Sequence, residues 1–316
     1  MSLAGPTDAP ELSVLVPAAD EAENLPELLR QMRDALAPLP YQCEVVVIDD
    51  GSLDDTPAVL RRLAGEYPFL RVVTHRMRRG IADALRSGAD AARGSILAFY
   101  PADLQYLPAD LPGLVAPIRA GEADIVTGAK QGEYDKRFVS GIYNFVCRKL
   151  FGVPVTDLNS VKAYRREVMD GLPTRPDWHR FMVVIAAAQG FRLAERAIPL
   201  HPRRAGRSKF GLSRIPVGVL DLISVWFQLR FGRKPMLFFG VSGAVLCLLG
   251  ILIGIYALIE RYIFGTGFRP LLELIMLLII CGLVLFGFGF VGELVAGTRQ
   301  EFQELERELR RLRDQK

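Results

Sequence analysis

Short apolar runs and amphipathic stretches alternate through the first half of the chain. Leu12–Val16, Glu44–Ile48, Leu70–Thr74, Ser95–Tyr100 and Asp124–Thr127 are rich in β-branched and aliphatic residues at strand length. Between them, Ala22–Leu36, Pro57–Glu66, Ile81–Ala92 and Ala109–Arg119 repeat apolar residues at helical spacing. This rhythm predicts an α/β fold with a mostly parallel sheet covered on both faces. Val45-Val46-Val47-Ile48 is continuous and not alternating, as expected of a strand buried on both sides. After Arg137 the pattern turns helical, with Phe138, Ile142, Phe145, Val146 and Leu150 on one face. A helix around Phe181–Gln189 and a strand around Leu193–Leu200 follow.

Two later runs follow neither period. Pro235–Ile259 and Leu274–Gly292 contain no charged residue, and at about 1.5 Å per residue the first exceeds a hydrocarbon core of about 30 Å. They predict a transmembrane hairpin. Arg230, Arg233 and Lys234 precede it, Arg299 and then Arg307, Arg310 and Arg311 follow it, and the connecting loop holds only Arg261 and Arg269 as basic residues. Basic flanks stay on the cytoplasmic side, so both termini and the α/β domain are expected there, at the inner membrane of the cell. Ser213–Leu229 reads as an amphipathic helix along the membrane surface, with Trp226 near its end. The expected organisation is a disordered lead-in (1–10, polar and unlike a signal peptide), an α/β domain (11–210), a juxtamembrane helix (211–234), two membrane helices (235–297) and a cytoplasmic amphipathic tail (298–316). Phe302, Leu305, Leu309 and Leu312 in that tail, or the membrane helices, leave room for self-association.

The net charge of +4 is modest, and its basic residues gather between Arg203 and Lys234, beside the membrane. That placement suits an anionic lipid surface or a phosphate ligand. Nucleic acid is the weaker reading of these charges. Cys43, Cys147, Cys247 and Cys281 have neither paired nor metal-ligand spacing, and His75, His179 and His201 are scattered, so no His-based metal site is indicated.

Candidate chemistry begins where the strand over Glu44–Ile48 runs into Asp49-Asp50-Gly51-Ser52, then Asp54, Asp55 and Thr56. Ligands of open α/β sheets bind just past the carboxyl ends of strands. Asp-Gly forms a turn there, but two adjacent carboxylates repel each other and need a cation or donor groups.

The order of motifs resembles the inverting family-2 glycosyltransferases of the GT-A fold. Val14-Leu15-Val16-Pro17-Ala18-Ala19-Asp20-Glu21 and the Asp49–Thr56 segment are followed by Gly80–Gly88, by Ala102-Asp103-Leu104-Gln105 and by Arg203–Lys209. Within that family the chain most resembles polyprenyl-phosphate hexose synthases, which move a sugar from a nucleotide onto a lipid phosphate. The resemblance implies a nucleotide-sugar donor of the UDP-glucose or GDP-mannose type, a polyprenyl-phosphate acceptor and inversion. It places Pro17, Glu21 and Asp49 in the nucleoside pocket with Asp50 beside them. Arg203, Ser208 and Lys209 would clamp the diphosphate, with Lys130 standing where an arginine is frequent. Arg137 and Ser140 would hold the acceptor phosphate. Asp157 would face the sugar or, alternatively, close an Asx-turn or cap a helix, and Trp178 near the same pocket is equally well explained by packing.

In the family an Asp-x-Asp-x-Gln run holds Mg²⁺ or Mn²⁺. This chain departs from it: Pro101 stands at the first Asp, leaving Asp103 and Gln105. Mg²⁺ often takes only one or two carboxylates beside phosphates and water. Two other readings stay open at this point. A processive polysaccharide synthase would need more membrane spans and a Gln-x-x-Arg-Trp motif, which Gln228-Leu229-Arg230-Phe231 does not supply. A non-catalytic nucleotide-sugar-binding membrane scaffold would account for Pro101.

Overall fold

A computed structural model describes residues 9–132, 137–172, 175, 178–202, 215–265 and 269–314. The lead-in through Asp8 and the basic segment 203–214 lie outside them. The chain divides into two units, residues 1–222 and 223–316.

Unit one is built on a seven-stranded sheet in the order β3-β2-β1-β4-β6-β5-β7. The strands are β1 (Leu12–Ala18), β2 (Cys43–Asp49), β3 (Leu70–Thr74), β4 (Ile96–Phe99), β5 (Ile125–Gln131), β6 (Lys162–Arg165) and β7 (Leu193–Pro199). The β1–β2, β2–β3, β1–β4 and β5–β7 pairs are parallel, whereas β6 runs antiparallel to both β4 and β5. The carboxyl ends of every strand except β6 therefore share one edge, and the amino end of β6 joins them there.

The strand residues alternate sides as the pleat requires. Leu12, Val14 and Val16 of β1 and Val45 and Val47 of β2 enter one core with Leu25, Leu28, Leu29 and Met32 of α1 (Leu25–Leu36). Burying each such side chain stabilises the domain by roughly 1.5–3 kcal/mol. The opposite face packs α3 (Ile81–Ala91), which follows α2 (Thr56–Glu66) and β3; Gly88 has no side chain there and lets Ile48 and Leu15 approach closely. α4 (Leu111–Arg119) buries Leu114, Val115 and Ile118.

The alternation predicted all of these elements except β6. Its four residues, Lys-Ala-Tyr-Arg, are too short and too polar at both ends to read as a strand, yet they fill the gap between β4 and β5. α5 (Arg137–Phe151) appears as expected, but Phe145, Val146 and Leu150 are exposed while Asn144 and Cys147 are buried. Two short helices, α6 (Arg166–Asp170) and α7 (Met182–Ala188), complete the domain. All four cysteines are free, and burial pushes the thiols of Cys43 and Cys147 up to about 11, which makes them poor nucleophiles.

α8 (Ile215–Phe231) follows, with Val217, Val219, Leu220 and Ile223 exposed and Leu222 and Val225 buried, so apolar side chains occupy more than one face. In unit two, Phe227 and Phe231 cluster with Phe238 of α9 (Pro235–Ile263), the Phe231–Phe238 rings lying 4.9 Å apart. α10 (Arg269–Asp314) runs on without a break, so the tail expected over 298–316 continues the second apolar helix. Two helices, Pro235–Ile263 and Arg269–Phe302, are long and apolar enough to cross a membrane, and little of either is covered by protein. They meet along glycines: a Cβ on Gly243 would lie 2.5 Å from the Gly282 carbonyl, and one on Gly289 would lie 2.7 Å from Met236 Sδ. Lipid tails give no hydrophobic drive for helices to associate, so close backbone approach is what holds such a pair. Gly243→Leu must push the helices apart and should destabilise the hairpin by about 1–3 kcal/mol, read as a lower melting temperature in detergent.

Candidate active site

Strand order reverses at β1, which has β2 on one side and β4 on the other. A crevice opens at such a switch point, and the loops after β1, β2 and β4 rim it. The first two loops are tied to one another. Ser52 Oγ accepts from the Asp20 amide at 2.9 Å, Thr56 Oγ1 from the Glu21 amide at 2.9 Å, and Asp20 Oδ1 from the Leu53 amide at 2.9 Å. Asp20 Oδ2 also meets Arg78 at 2.6 Å.

The Asp49–Asp50 pair resolves its repulsion by pointing to different donors. Asp49 Oδ1 accepts the Ser52 amide at 3.0 Å, closing the turn. Asp50 Oδ1 accepts His75 Nδ1–H at 2.8 Å and the Arg79 amide at 2.8 Å, and its Oδ2 accepts the Gly80 amide at 2.7 Å. His75 Nε2 meets Ser87 on α3 at 3.0 Å, which fixes the ring. Burial alone would push the Asp50 carboxyl up, but these donors outweigh it and hold it below the usual carboxylate range. Asp50 thus pins the loop between β3 and α3 against the end of β2. Gly51, at φ +64°, sits where a Cβ would lie 2.6 Å from the Arg78 backbone, so the turn admits no side chain. Pro17 and Glu21 stand at the same edge, half-buried, with Glu21 Oε2 accepting from Asn24 at 2.7 Å.

The loop after β4 carries Pro101, Asp103 and Gln105. Asp103 Oδ1 accepts the Gln105 amide at 3.3 Å, and Leu104 between them has φ 56°. Asp20 and Leu104 are the non-glycine residues with positive φ among those described, and both belong to this rim; such strain collects at functional loops. The Tyr100 hydroxyl donates to the Tyr106 carbonyl and closes the loop. Gln105 O accepts the His201 amide at 2.8 Å, tying it to the chain beyond β7.

Across β4, Lys130 and Asp157 come together as Nζ–Oδ2 at 3.4 Å, and Lys130 also donates to the Asn159 carbonyl at 2.9 Å. Asp157 Oδ1 accepts the Asn159 amide at 3.0 Å, so its Asx-turn is present alongside the ion pair. Lys162 escaped the sequence reading. It lies fully buried on β6, opposite Phe99 and Thr127, with Nζ donating to the Ser160 carbonyl at 2.7 Å. Burial pushes its amine down to about 7, with Asp157 opposing and Lys130 reinforcing the shift. His75 was likewise missed; its place directly after β3, at the common edge, was the available signal. Trp178 is buried under Arg175 and His179 packs edge-on to Phe99, which gives both a packing role.

Arg137 and Ser140 lie in the first turn of α5, with side chains outside the described residues. Arg203, Ser208 and Lys209 also fall outside them. Asp103 and Gln105 offer a carboxylate and an amide oxygen in one tight turn, hard donors that suit Mg²⁺ or Mn²⁺. No group of three or more His, Cys, Asp or Glu among the described residues could hold an ion by itself, so phosphate oxygens and water would have to complete its shell.

Residues 13–171 match the family model described as "Glycosyl transferase family 2". The chain is 31% identical over 303 residues to the dodecaprenyl-phosphate galacturonate synthase of Rhizobium johnstonii, covering 93% of this chain and 90% of that protein. It is 28% identical over 291 residues to the undecaprenyl-phosphate 4-deoxy-4-formamido-L-arabinose transferase of Pseudomonas savastanoi, covering 89% and 84%. Among solved structures, the glucosyl-3-phosphoglycerate synthase of Mycobacterium tuberculosis with Mn²⁺, uridine diphosphate and glucosyl-3-phosphoglycerate superposes with a TM-score of 0.54 at 21% identity, over 70% of this chain and 80% of that one. That likeness establishes the GT-A fold.

Asp50→Asn keeps the shape but turns an amide toward donors. It should destabilise the domain by roughly 1.5–3 kcal/mol, the worth of a charge-assisted hydrogen bond, measured by denaturant titration. Because the folded carboxyl is depressed, its contribution is complete above about pH 4, where the unfolded chain's Asp is ionised, and is lost as pH falls through the folded value. The acid limb of the stability curve should therefore be shallower in Asp50→Asn than in wild type.

Proposed function

The chain belongs to glycosyl transferase family 2, and we propose that it transfers a sugar from a nucleoside diphosphate to a polyprenyl phosphate at the cytoplasmic face of a membrane. The observation that carries this reading is one chain joining a GT-A switch-point edge, with acids after β1, β2 and β4, to two helices fit to span a bilayer. Relatives whose names specify dodecaprenyl and undecaprenyl phosphates support the acceptor class over nearly the whole chain. The exposed apolar face of α5, behind the turn that starts at Arg137, supports a lipid acceptor as well. Two helices fit to span a bilayer among the described residues, rather than a channel-forming set, disfavour processive polymer synthesis.

On this reading Pro17, Glu21 and Asp49 line the nucleoside pocket and Asp50 holds its wall. Arg203, Ser208 and Lys209 neutralise the diphosphate, while Arg137 and Ser140 orient the acceptor phosphate. A lipid phosphate is largely ionised near neutrality, so no general base has to remove a proton. One of its oxygens attacks the anomeric carbon from the face opposite the leaving group. The bond from that carbon to the β-phosphate oxygen breaks, the nucleoside diphosphate leaves with the electron pair, and the configuration inverts. Positioning of two anions is the main task, which is why cations dominate the acceptor side. Asp103 and Gln105 would hold a divalent ion, which supplies charge neutralisation of the diphosphate when bound.

The sugar is open between the neutral hexoses of the UDP-glucose and GDP-mannose type and the uronate and amino-pentose classes of the named relatives. The test is a panel of radiolabelled nucleotide sugars given to the purified protein with undecaprenyl phosphate. One donor should give an organic-extractable, acid-labile product; Asp103→Asn and excess chelator should each lower its formation at least 100-fold. Insoluble polymer would support the synthase reading, and absence of product with every donor would support the scaffold. Full activity in chelator would remove the ion and leave the basic segment to carry the charge.

A further inference from the structure

Glu195 has no part in the roles assigned so far, yet its carboxylate is turned onto the segment that carries Asp157. It lies half-buried on β7, the outermost strand, in register with Thr127 of β5. From there it meets the turn that leads from α5 into β6. Oε1 accepts the Thr156 amide at 2.8 Å and the Asp157 amide at 3.0 Å, and Oε2 accepts the Thr156 hydroxyl at 2.8 Å. An ionised acceptor makes such bonds roughly twice as strong as a neutral one does. Both oxygens are thus taken up by two neighbouring residues.

The hold on Asp157 is two-sided. Thr127 Oγ1, fully buried, donates to the Asp157 carbonyl at 3.0 Å. Paired positions of β5 and β7 therefore grip the carbonyl and the amide of the same residue. With its backbone fixed between two strands, the buried Asp157 side chain is aimed: Oδ1 accepts the Asn159 amide at 3.0 Å, and Oδ2 meets Lys130, further along β5, at 3.4 Å. The Leu158 amide donates to Asn144 Oδ1 at 3.4 Å, which ties the next residue to α5. A loop left to itself samples many backbone and rotamer states. Here sheet side chains select one, and a group that meets a reacting substrate has to be held to within about 0.5 Å.

We propose that Glu195 is a positioning residue for the transfer reaction: by clamping the Thr156 and Asp157 amides from β7, against Thr127 on β5, it fixes the Asp157 carboxylate in the orientation that seats the donor sugar. This rests on the reading that the chain is a transferase whose donor sugar meets Asp157. Glu195 acts through Asp157 and not on substrate, since the loop occupies both of its oxygens.

The experiment is steady-state transfer by the full-length protein in detergent, with undecaprenyl phosphate as acceptor. The donors are UDP-glucose, GDP-mannose, UDP-galacturonate and UDP-4-deoxy-4-formamido-L-arabinose, and binding of UDP and GDP with Mg²⁺ is measured alongside by calorimetry. With the donor that wild type uses, Asp157→Asn and Glu195→Ala should each lower kcat by about tenfold or more. The double variant should be no slower than Asp157→Asn alone, because the two residues act as one unit. Glu195→Gln keeps an oxygen for the two amides and should restore kcat to within about threefold of wild type. UDP and GDP lack the sugar and should bind every variant with wild-type affinity. A merely structural glutamate would instead multiply the losses in the double variant and weaken nucleotide binding with them. Should Glu195→Ala fail to fold, Thr127→Val decides by the same cycle: it removes the opposite grip and should slow wild type but not Asp157→Asn. Multiplied losses in either cycle, or full activity of Glu195→Ala, overturn the proposal while leaving the transfer reading intact. Full activity of Asp157→Asn overturns it too, by removing the group that Glu195 positions. Absence of product from wild type with every donor overturns both readings.

Discussion

The β2 end of the sheet edge depends on where the Asp50 carboxylate sends its two oxygens. Three donors, the His75 ring and the Arg79 and Gly80 amides, converge on it from the segment between β3 and α3. That one group joins the end of β2 to the start of α3 and, through His75 and Ser87, to the helix face itself. It also removes the repulsion that two adjacent acids would otherwise bring to a strand end, and it does so with protein donors. Asp49 is then left to close the turn through Ser52, and Gly51 permits the close approach of the Met77–Arg78 backbone. Remove the carboxylate and the loop loses three contacts to the end of β2, while the Arg78–Asp20 ion pair at 2.6 Å remains.

Much of this was written in the hydrophobic pattern. Buried strands such as Val45–Ile48 and amphipathic helices such as α1 are fixed by burial periodicity, which a sequence displays directly. The acids after β2 were also legible, because a continuous apolar run ending in Asp-Asp-Gly-Ser leaves few places for them. What the pattern could not show is pairing between distant segments. β6 was invisible because four residues with Lys and Arg at their ends look like loop until β4 and β5 flank them. Lys162 was missed for the same reason, since only the antiparallel insertion makes it the most deeply buried cation of the sheet. Asp50 was legible at the carboxyl end of β2, beside the expected pocket, while its donors from residues 75–80 required the tertiary structure. The tail after Thr298 was expected as a separate element and instead prolongs α10, because nothing in its composition breaks a helix.

The β4–β6–β5 side of the edge follows a different logic. Pro101 stands where an acid would add a second carboxylate to the loop after β4, and Lys130 adds a cation across from it, so this edge is less negative than a pair of acids alone would make it. A reaction between an anionic nucleophile and an anionic leaving group suits that balance. The cost is borne in the fold: a buried amine and two non-glycine residues at positive φ are tolerated at the rim and found nowhere else among the described residues of the domain.

The central claim is that one sheet edge serves both substrates, with the donor over β1 and β2 and the lipid phosphate over β5, β6 and the start of α5. A cryo-electron microscopy map of the full chain in lipid nanodiscs, with UDP or GDP and a short-chain polyprenyl phosphate, tests it most directly. The account predicts nucleoside density against Pro17, Glu21 and Asp49, its phosphates turned toward Asp103, and the lipid phosphate within contact of Arg137 on the Lys130 side. Nucleotide density away from the Asp49–Asp50 end of β2, or lipid phosphate remote from α5, would contradict it.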